Sequence, residues 1–188
     1  MTARLVFRLA AVVVIGWVCA HAAAGDGRTP RERELIAVLR SGAPEADKAM
    51  ACKQLAVHGS ADAVPELAKL LGNERLASWA RIPLEAIPDP ACDTALRQAA
   101  LVLAGRPLVG VINSLGVRRD TAAVEMLAER LTDADASVAT SAAIALGLIG
   151  GEAAAAALRP TLAVSNATVR NAAAEACVVC AEIGRAHV

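Results

Sequence analysis

Aromatic residues are nearly missing from this 188-residue chain, which has no tyrosine, one phenylalanine (Phe7) and two tryptophans (Trp17 and Trp79). Aromatic and β-branched side chains are what a packed β-sheet draws on, so their scarcity argues against a sandwich or barrel. Charge of one sign is lacking too, since 19 Lys and Arg stand against 19 Asp and Glu. That balance leaves no electrostatic footprint for nucleic acid. Histidine is scarce, at His21, His58 and His187. No segment after the first two dozen residues is long and apolar enough to span a bilayer. What is abundant is alanine, at 46 positions within a chain that is 56% hydrophobic, so disorder is excluded and closely packed helices are expected.

The N-terminal residues have the three parts of a secretory signal. Arg4 and Arg8 form a basic region, Leu9 to Ala20 an apolar one, and Ala22-Ala23-Ala24 a small-residue cleavage site. The apolar run is about a dozen residues, short of the roughly 20 a spanning helix needs. The sequence therefore divides into a signal peptide at 1–24, a short linker at 25–30, a repeat region at 31–185 and a tail at 186–188. Cleavage after Ala24 removes two arginines and leaves 17 basic against 19 acidic residues. An exported location, periplasmic or extracellular, follows as an expectation. Cys19 does not fit a lipoprotein site, because Trp17 and Val18 precede it where small residues belong.

The region after the signal repeats. Ile36, Leu67, Leu96, Leu127 and Leu158 recur at spacings of 31, 29, 31 and 31 residues, and Leu55, Leu84, Leu115, Leu146 and Cys177 at 29, 31, 31 and 31. Two ladders with one period, offset by about 19 residues, place two helices in each repeat. Breakers fall between them, at Ser41-Gly42-Ala43-Pro44, His58-Gly59-Ser60, Pro88-Asp89-Pro90, Gly105-Arg106-Pro107 and Gly150-Gly151. The predicted pairs are 31–40 with 45–58, 61–71 with 75–87, 90–104 with 107–117, 121–132 with 136–149, and 152–163 with 167–184. Pro83 lies inside the fourth helix, where a missing amide hydrogen predicts a kink. The fold class is all-α, a right-handed α-α superhelix of about five helix pairs.

DADASVATSAAIALGLIG, from Asp133 to Gly150, resembles the second helix of a HEAT repeat, with Val, Ala, Ala-Leu-Gly and Ile-Gly at fixed offsets. SNATVRNAAAEACVVCAEI, from Ser165 to Ile183, repeats the pattern, and Asn113 to Gly116 is a weaker copy. The period resembles the short subtype named after phycobilisome lyases. ERLASWARIPLEAIPDP and GVINSLGVRRD look like segments of exported bacterial HEAT-repeat proteins. The resemblance implies architecture more than activity. Deoxyhypusine hydroxylase is a HEAT-like enzyme with paired His-Glu iron motifs, and this chain has none. His58 stands where the repeat places an isoleucine, which favours a structural role over ligation. A chromophore lyase would need aromatic stacking that Trp79 alone does not supply.

Cys177-Val-Val-Cys180 has the spacing of a redox motif, but both fall at core positions in mid-helix rather than at a helix N-terminus. Ala181 after Cys180 excludes c-type haem attachment, and Cys52 and Cys92 lie in different repeats. There is no phosphate-binding glycine loop, GxSxG elbow or HExxH. Asp133 and Asp135 fall in a turn, as capping residues do. These readings predict no metal, no cofactor and no enzymatic activity.

A solenoid works through its concave face, lined here by the second helices. At 100° per residue, the outward positions are Lys53, Ile82, Asn113, Ile144 and Glu175. Ser78, Glu85, Thr140 and Asn171 fall one turn to either side, and Arg81 at the edge. Arg118 and Arg119 form a rim that would suit a carboxylate or phosphate. The mixed strip predicts a protein or peptide partner anchored by Ile82 and Ile144. The exposed flank of the last helix (Val178, Val179, Cys180, Ile183) predicts self-association. The functional expectation is an exported protein-binding scaffold. Its alternatives are an accessory or maturation subunit of an exported redox enzyme and, less favoured, a chromophore lyase.

Overall fold

The computed structural model describes residues 29–186. The expected signal at 1–24, residues 25–28 of the expected linker, and His187 and Val188 lie outside the described residues. Five pairs of helices follow one another. They are α1 (Pro30–Arg40) with α2 (Glu45–His58), α3 (Val64–Lys69) with α4 (Ala77–Ala86), α5 (Pro90–Val102) with α6 (Gly105–Val117), α7 (Val124–Arg130) with α8 (Ala136–Ile149), and α9 (Gly151–Leu158) with α10 (Ala167–Ala186). Short 3-10 turns at Ala61–Ala63 and Thr121–Ala123 lead into α3 and α7, and another at Arg159–Ala163 extends α9. No strand occurs among the described residues.

Capping explains where the helices start. Thr29 Oγ1 accepts from the Glu32 amide at 3.1 Å, Asp89 from Ala91 at 2.8 Å, Asp135 from Ser137 at 2.9 Å and Asn166 from Thr168 at 3.0 Å. Pro30 and Pro90 occupy first turns, where a missing amide hydrogen costs nothing. Second helices pack on second helices in chain order from α2 to α10, while α1, α3 and α5 form a first-helix layer that α7 and α9 continue. The result is an all-α superhelix.

Both ladders lie in the interface between the layers. Leu55, Leu67, Leu84, Leu96, Leu115, Leu127, Leu146 and Leu158 are fully buried, and Ile36 nearly so, in one continuous core. Cys177 departs from the expectation of a core site. It is only partly buried, and Ala176 and Cys180 face α8 instead, because no further helix packs on α10 among the described residues. The Leu-Gly step of the repeat sets the spacing of the second layer. A Cβ on Gly116 would stand 2.8 Å from Ala145 Cα, and one on Gly147 2.8 Å from Ala176 Cβ.

Around Pro83 the second repeat differs from its neighbours. The Asn73 side chain accepts from the amides of Arg75 (2.9 Å) and Leu76 (3.1 Å), so a capped turn delays α4 to Ala77 instead of 75. The helix then continues through buried Pro83 to Ala86, with the Ile87 amide donating to Pro83 O at 2.9 Å. Carbonyls at its end are collected by one side chain from the next repeat. Arg118 Nη1 donates to Leu84 O at 2.9 Å and Ile87 O at 2.8 Å, and Nη2 to Asp89 O at 3.2 Å.

Candidate functional site

The outward face of the second-helix layer holds the residues expected there. Lys53, Ser78, Ile82, Ile144, Asn171 and Glu175 are exposed, and Asn113 is half-buried. Ile82 and Ile144 keep 42% and 46% of their surface open, enough for substitution without disturbing the core. Three further apolar side chains share this surface, Met50 on α2, Trp79 on α4 and Val178 on α10. On α6 the exposed apolar group is Val117, in the last turn of the helix.

Four of the expected contacts have other roles. Arg81 and Glu85 are joined to each other through α6. Arg81 Nη1 donates to Gly110 O at 3.1 Å, and the Ser114 hydroxyl donates to Glu85 Oε1 at 2.5 Å, with the two charges 3.7 Å apart. Their guanidinium and carboxylate fasten α4 to α6 as well as facing solvent. Thr140 is corrected, because its Oγ1 is shielded from solvent and makes no hydrogen bond, so its hydroxyl is closed to a partner. Arg118 is corrected as a rim residue. Only 10% of its side chain is exposed, and besides the carbonyls of the second repeat it forks onto Asp93, with Nη2 at 3.0 Å. The Asp93 carboxylate holds the guanidinium even more firmly protonated than usual. Arg119 alone stays exposed. Its φ of 53° is the left-handed position of a Schellman cap, with its amide donating to Gly116 O at 3.0 Å and the Asp120 amide to Leu115 O at 3.1 Å.

Two depressions indent the face. Between α2 and α4 a groove of about 370 Å³ is floored by Ala46, Ala49, Met50, Leu76 and Trp79, with Lys53 and the Glu45–Arg75 ion pair (3.1 Å) at its rim. Between α4 and α6 a cleft of about 230 Å³ is lined by Ser78, Arg81, Gly110, Pro107, Arg106 and Glu74. Gly110 lets the Arg81 guanidinium lie close against α6, since a Cβ there would stand 2.9 Å from Arg81 Nε and push the side chain aside. Met50, Trp79 and Arg106 are absent from the strip drawn by sequence. Arg106 was hidden in a Gly-Arg-Pro run that reads as a turn, yet it lies 31 residues after Arg75, one repeat along, at the start of a second helix.

Three of the described thiols are shifted away from the reactive thiolate form. Burial pushes the Cys52 and Cys92 thiols up to about 11. Burial also raises that of Cys180, whose Sγ lies 3.7 Å from Leu146 O, with nearby Cys177 adding to the shift. Among the described residues no three His, Cys, Asp or Glu side chains converge as metal ligands would. No described helix is long and apolar enough to cross a membrane.

Comparison with known proteins bears on the architecture. Residues 108–177, from the first turn of α6 into α10, match the HEAT repeats family. Among solved structures, human deoxyhypusine hydroxylase in complex with glycerol is similar, with 24% sequence identity and a TM-score of 0.57 over 63% of this chain and 43% of that one. The chain spans less than half the length of that enzyme, and the likeness is one of fold. No curated protein matches. The expectation of a chain without enzymatic activity is overturned here. A superhelix of this kind is the framework of an enzyme, so the fold and the missing sequence motifs give no ground for excluding catalysis. Residues 108–177 therefore match HEAT repeats, and the two interleaved leucine ladders carry the same helix-pair architecture through all five described pairs.

Proposed function

We propose that the chain is an exported scaffold that binds another protein through the outward, concave face of its second helices. One observation carries the reading: Met50, Trp79, Ile82, Ile144 and Val178 stand as exposed apolar groups on four of the five second helices, α2, α4, α8 and α10. Apolar groups set among polar neighbours in this way favour association with a complementary surface. Repeat stacks bury their cores locally and leave such extended faces free for recognition. Lys53, Ser78, Asn113, Asn171 and Glu175 supply the polar surround, and Arg119 an exposed charge at the rim. The signal-like N-terminus supports export, and a partner is then sought among envelope or secreted proteins. The exposed Val178 on α10 extends the reading to self-association through the last repeat.

Affinity capture from an envelope extract, run beside an Ile82→Glu, Ile144→Glu variant, tests the proposal. Both side chains are surface groups, so circular dichroism should show an unchanged fold. A protein retained by the native chain and lost by the variant is expected. Equal retention by both folded proteins refutes the concave face as the recognition surface. Light scattering of the native chain against Val178→Glu tests self-association, and identical monomeric masses refute it.

A further inference from the structure

We infer that the occupant of this face is an acidic peptide segment, whose carboxylate enters the cleft between α4 and α6 while a neighbouring apolar side chain lies in the groove between α2 and α4. The inference rests on the scaffold reading above and names the partner that reading leaves open. Its first support is adjacency. Both depressions are built on the first turns of α4, with Leu76 and Trp79 on the groove side and Ala77, Ser78 and Arg81 on the cleft side. A segment crossing α4 meets one and then the other. Neighbouring packed helices stand about 8–10 Å apart, and a segment in the polyproline II conformation advances roughly 3.1 Å per residue and returns to the same face every third residue. The apolar and acidic side chains should therefore be separated by about three residues.

Charge selects the sign of the ligand. Lys53, Arg75, Arg81 and Arg106 border the two depressions against Glu45, Glu74 and Glu85. Glu45 is already held by Arg75 and Glu85 by Arg81 and Ser114. Arg106, Lys53 and Glu74 make no hydrogen bond or ion pair among the described residues, so two cations stand against one carboxylate and the free balance favours an anion. Arg106, Arg81 and Ser78 all line the cleft. A guanidinium with a free fork binds a carboxylate bidentately, and a hydroxyl adds a donor. In the groove, the polarizable Met50 thioether and the indole of Trp79 form an adaptable apolar floor.

The test uses the full chain with Trp17→Phe, which leaves Trp79 as its one tryptophan. A displayed library of random peptides is selected on this protein. Chosen peptides are then synthesised and titrated while Trp79 emission is followed. The expected result is enrichment of Asp or Glu about three residues from an aliphatic residue, with a shift in Trp79 emission on binding. A peptide Glu→Gln exchange and the protein exchange Arg106→Gln should each weaken binding about tenfold, roughly one charge-assisted hydrogen bond. Arg106→Gln removes no hydrogen bond or ion pair among the described residues and should leave the fold intact. Peptides that need Ile82 and Ile144 but show no acidic enrichment and tolerate Arg106→Gln would overturn this inference and leave the scaffold reading standing. If no peptide is selected, or the selected peptides depend neither on Ile82 and Ile144 nor on Arg106, both fall.

Discussion

The two adjacent arginines after α6 show how one residue type takes opposite roles within a single turn. Arg118 turns inward and satisfies the carbonyls that end α4, so its removal strands those acceptors and the Asp93 carboxylate together. Breaking a buried, hydrogen-bonded charge pair costs about 3 kcal/mol or more. Arg118→Met should lower stability in urea by that order. Arg118→Lys should not restore it, because an ammonium cannot fork onto Asp93 and reach several carbonyls at once. A lysine variant as stable as the native chain would refute this. Arg119 turns outward with a positive φ that favours glycine. Arg119→Gly should therefore raise stability by about 0.5–1 kcal/mol, provided the exposed side chain contributes no packing. The thiols give a third expectation. Cys52 and Cys92 titrate near 11 in the folded chain, above the ordinary thiol value of about 8.5, so folding favours their neutral form. Their contribution is fully present below pH 8.5 or so and is lost as pH rises towards 11. The chain has no tyrosine to titrate in that window. The urea midpoint should fall across it, and fall less steeply for Cys52→Ala. Equal slopes would refute the assignment.

At the scale of the element, the second helices owe their close approach to glycine. Gly116→Ala places a methyl 2.8 Å from the Ala145 backbone, which cannot swing aside as a side chain can. Overpacking of this kind costs about 1–3 kcal/mol, against a gain of up to about 1 kcal/mol in helix propensity. A net loss of about 1–2 kcal/mol is expected, while Gly42→Ala, with nothing within 4 Å, should be close to neutral. Equal effects at the two sites would refute the spacing argument. The same glycine shows what sequence can and cannot reveal. Helix pairs and core were legible because Leu55, Leu84, Leu115 and Leu146 recur at the period of the stack, and a strict period forces a common environment. The outward strip was legible in outline, since helical geometry fixes which side opposes the core. Arg118 was not legible, because its partners at Leu84, Ile87 and Asp89 are backbone carbonyls about one repeat earlier, and carbonyls have no sequence signature. The cleft at Arg106 was missed for a related reason. It forms only where two repeats meet, although the 31-residue step from Arg75 to Arg106 marks the equivalent position.

For the whole molecule, a stack in which each repeat touches only its neighbours should lose structure from its ends rather than all at once. The middle is the most enclosed. In α8, Val138, Ala139, Ala142, Ala143, Ala145, Leu146 and Ile149 are all buried, because α6 packs on one side and α10 on the other. At the far end α10 has one neighbouring second helix and leaves Val178 58% exposed. Amide hydrogen exchange under native conditions should therefore be slowest in α6 and α8 and faster in α10. A sharper expectation follows from Gly147, whose position faces Ala176 across the last interface of the second layer. Gly147→Val presses two extra methyl groups and a Cβ into that contact and should loosen α9 and α10 selectively. In the variant, exchange in those helices should accelerate at least tenfold while α1 to α4 keep their native rates. Acceleration of equal size in every helix would mean that the continuous core from Leu35 to Cys180 couples all five pairs into one all-or-none unit. In that case partner binding at α4 would stabilise the last repeat as strongly as its own, and the scaffold would transmit occupancy along its whole length.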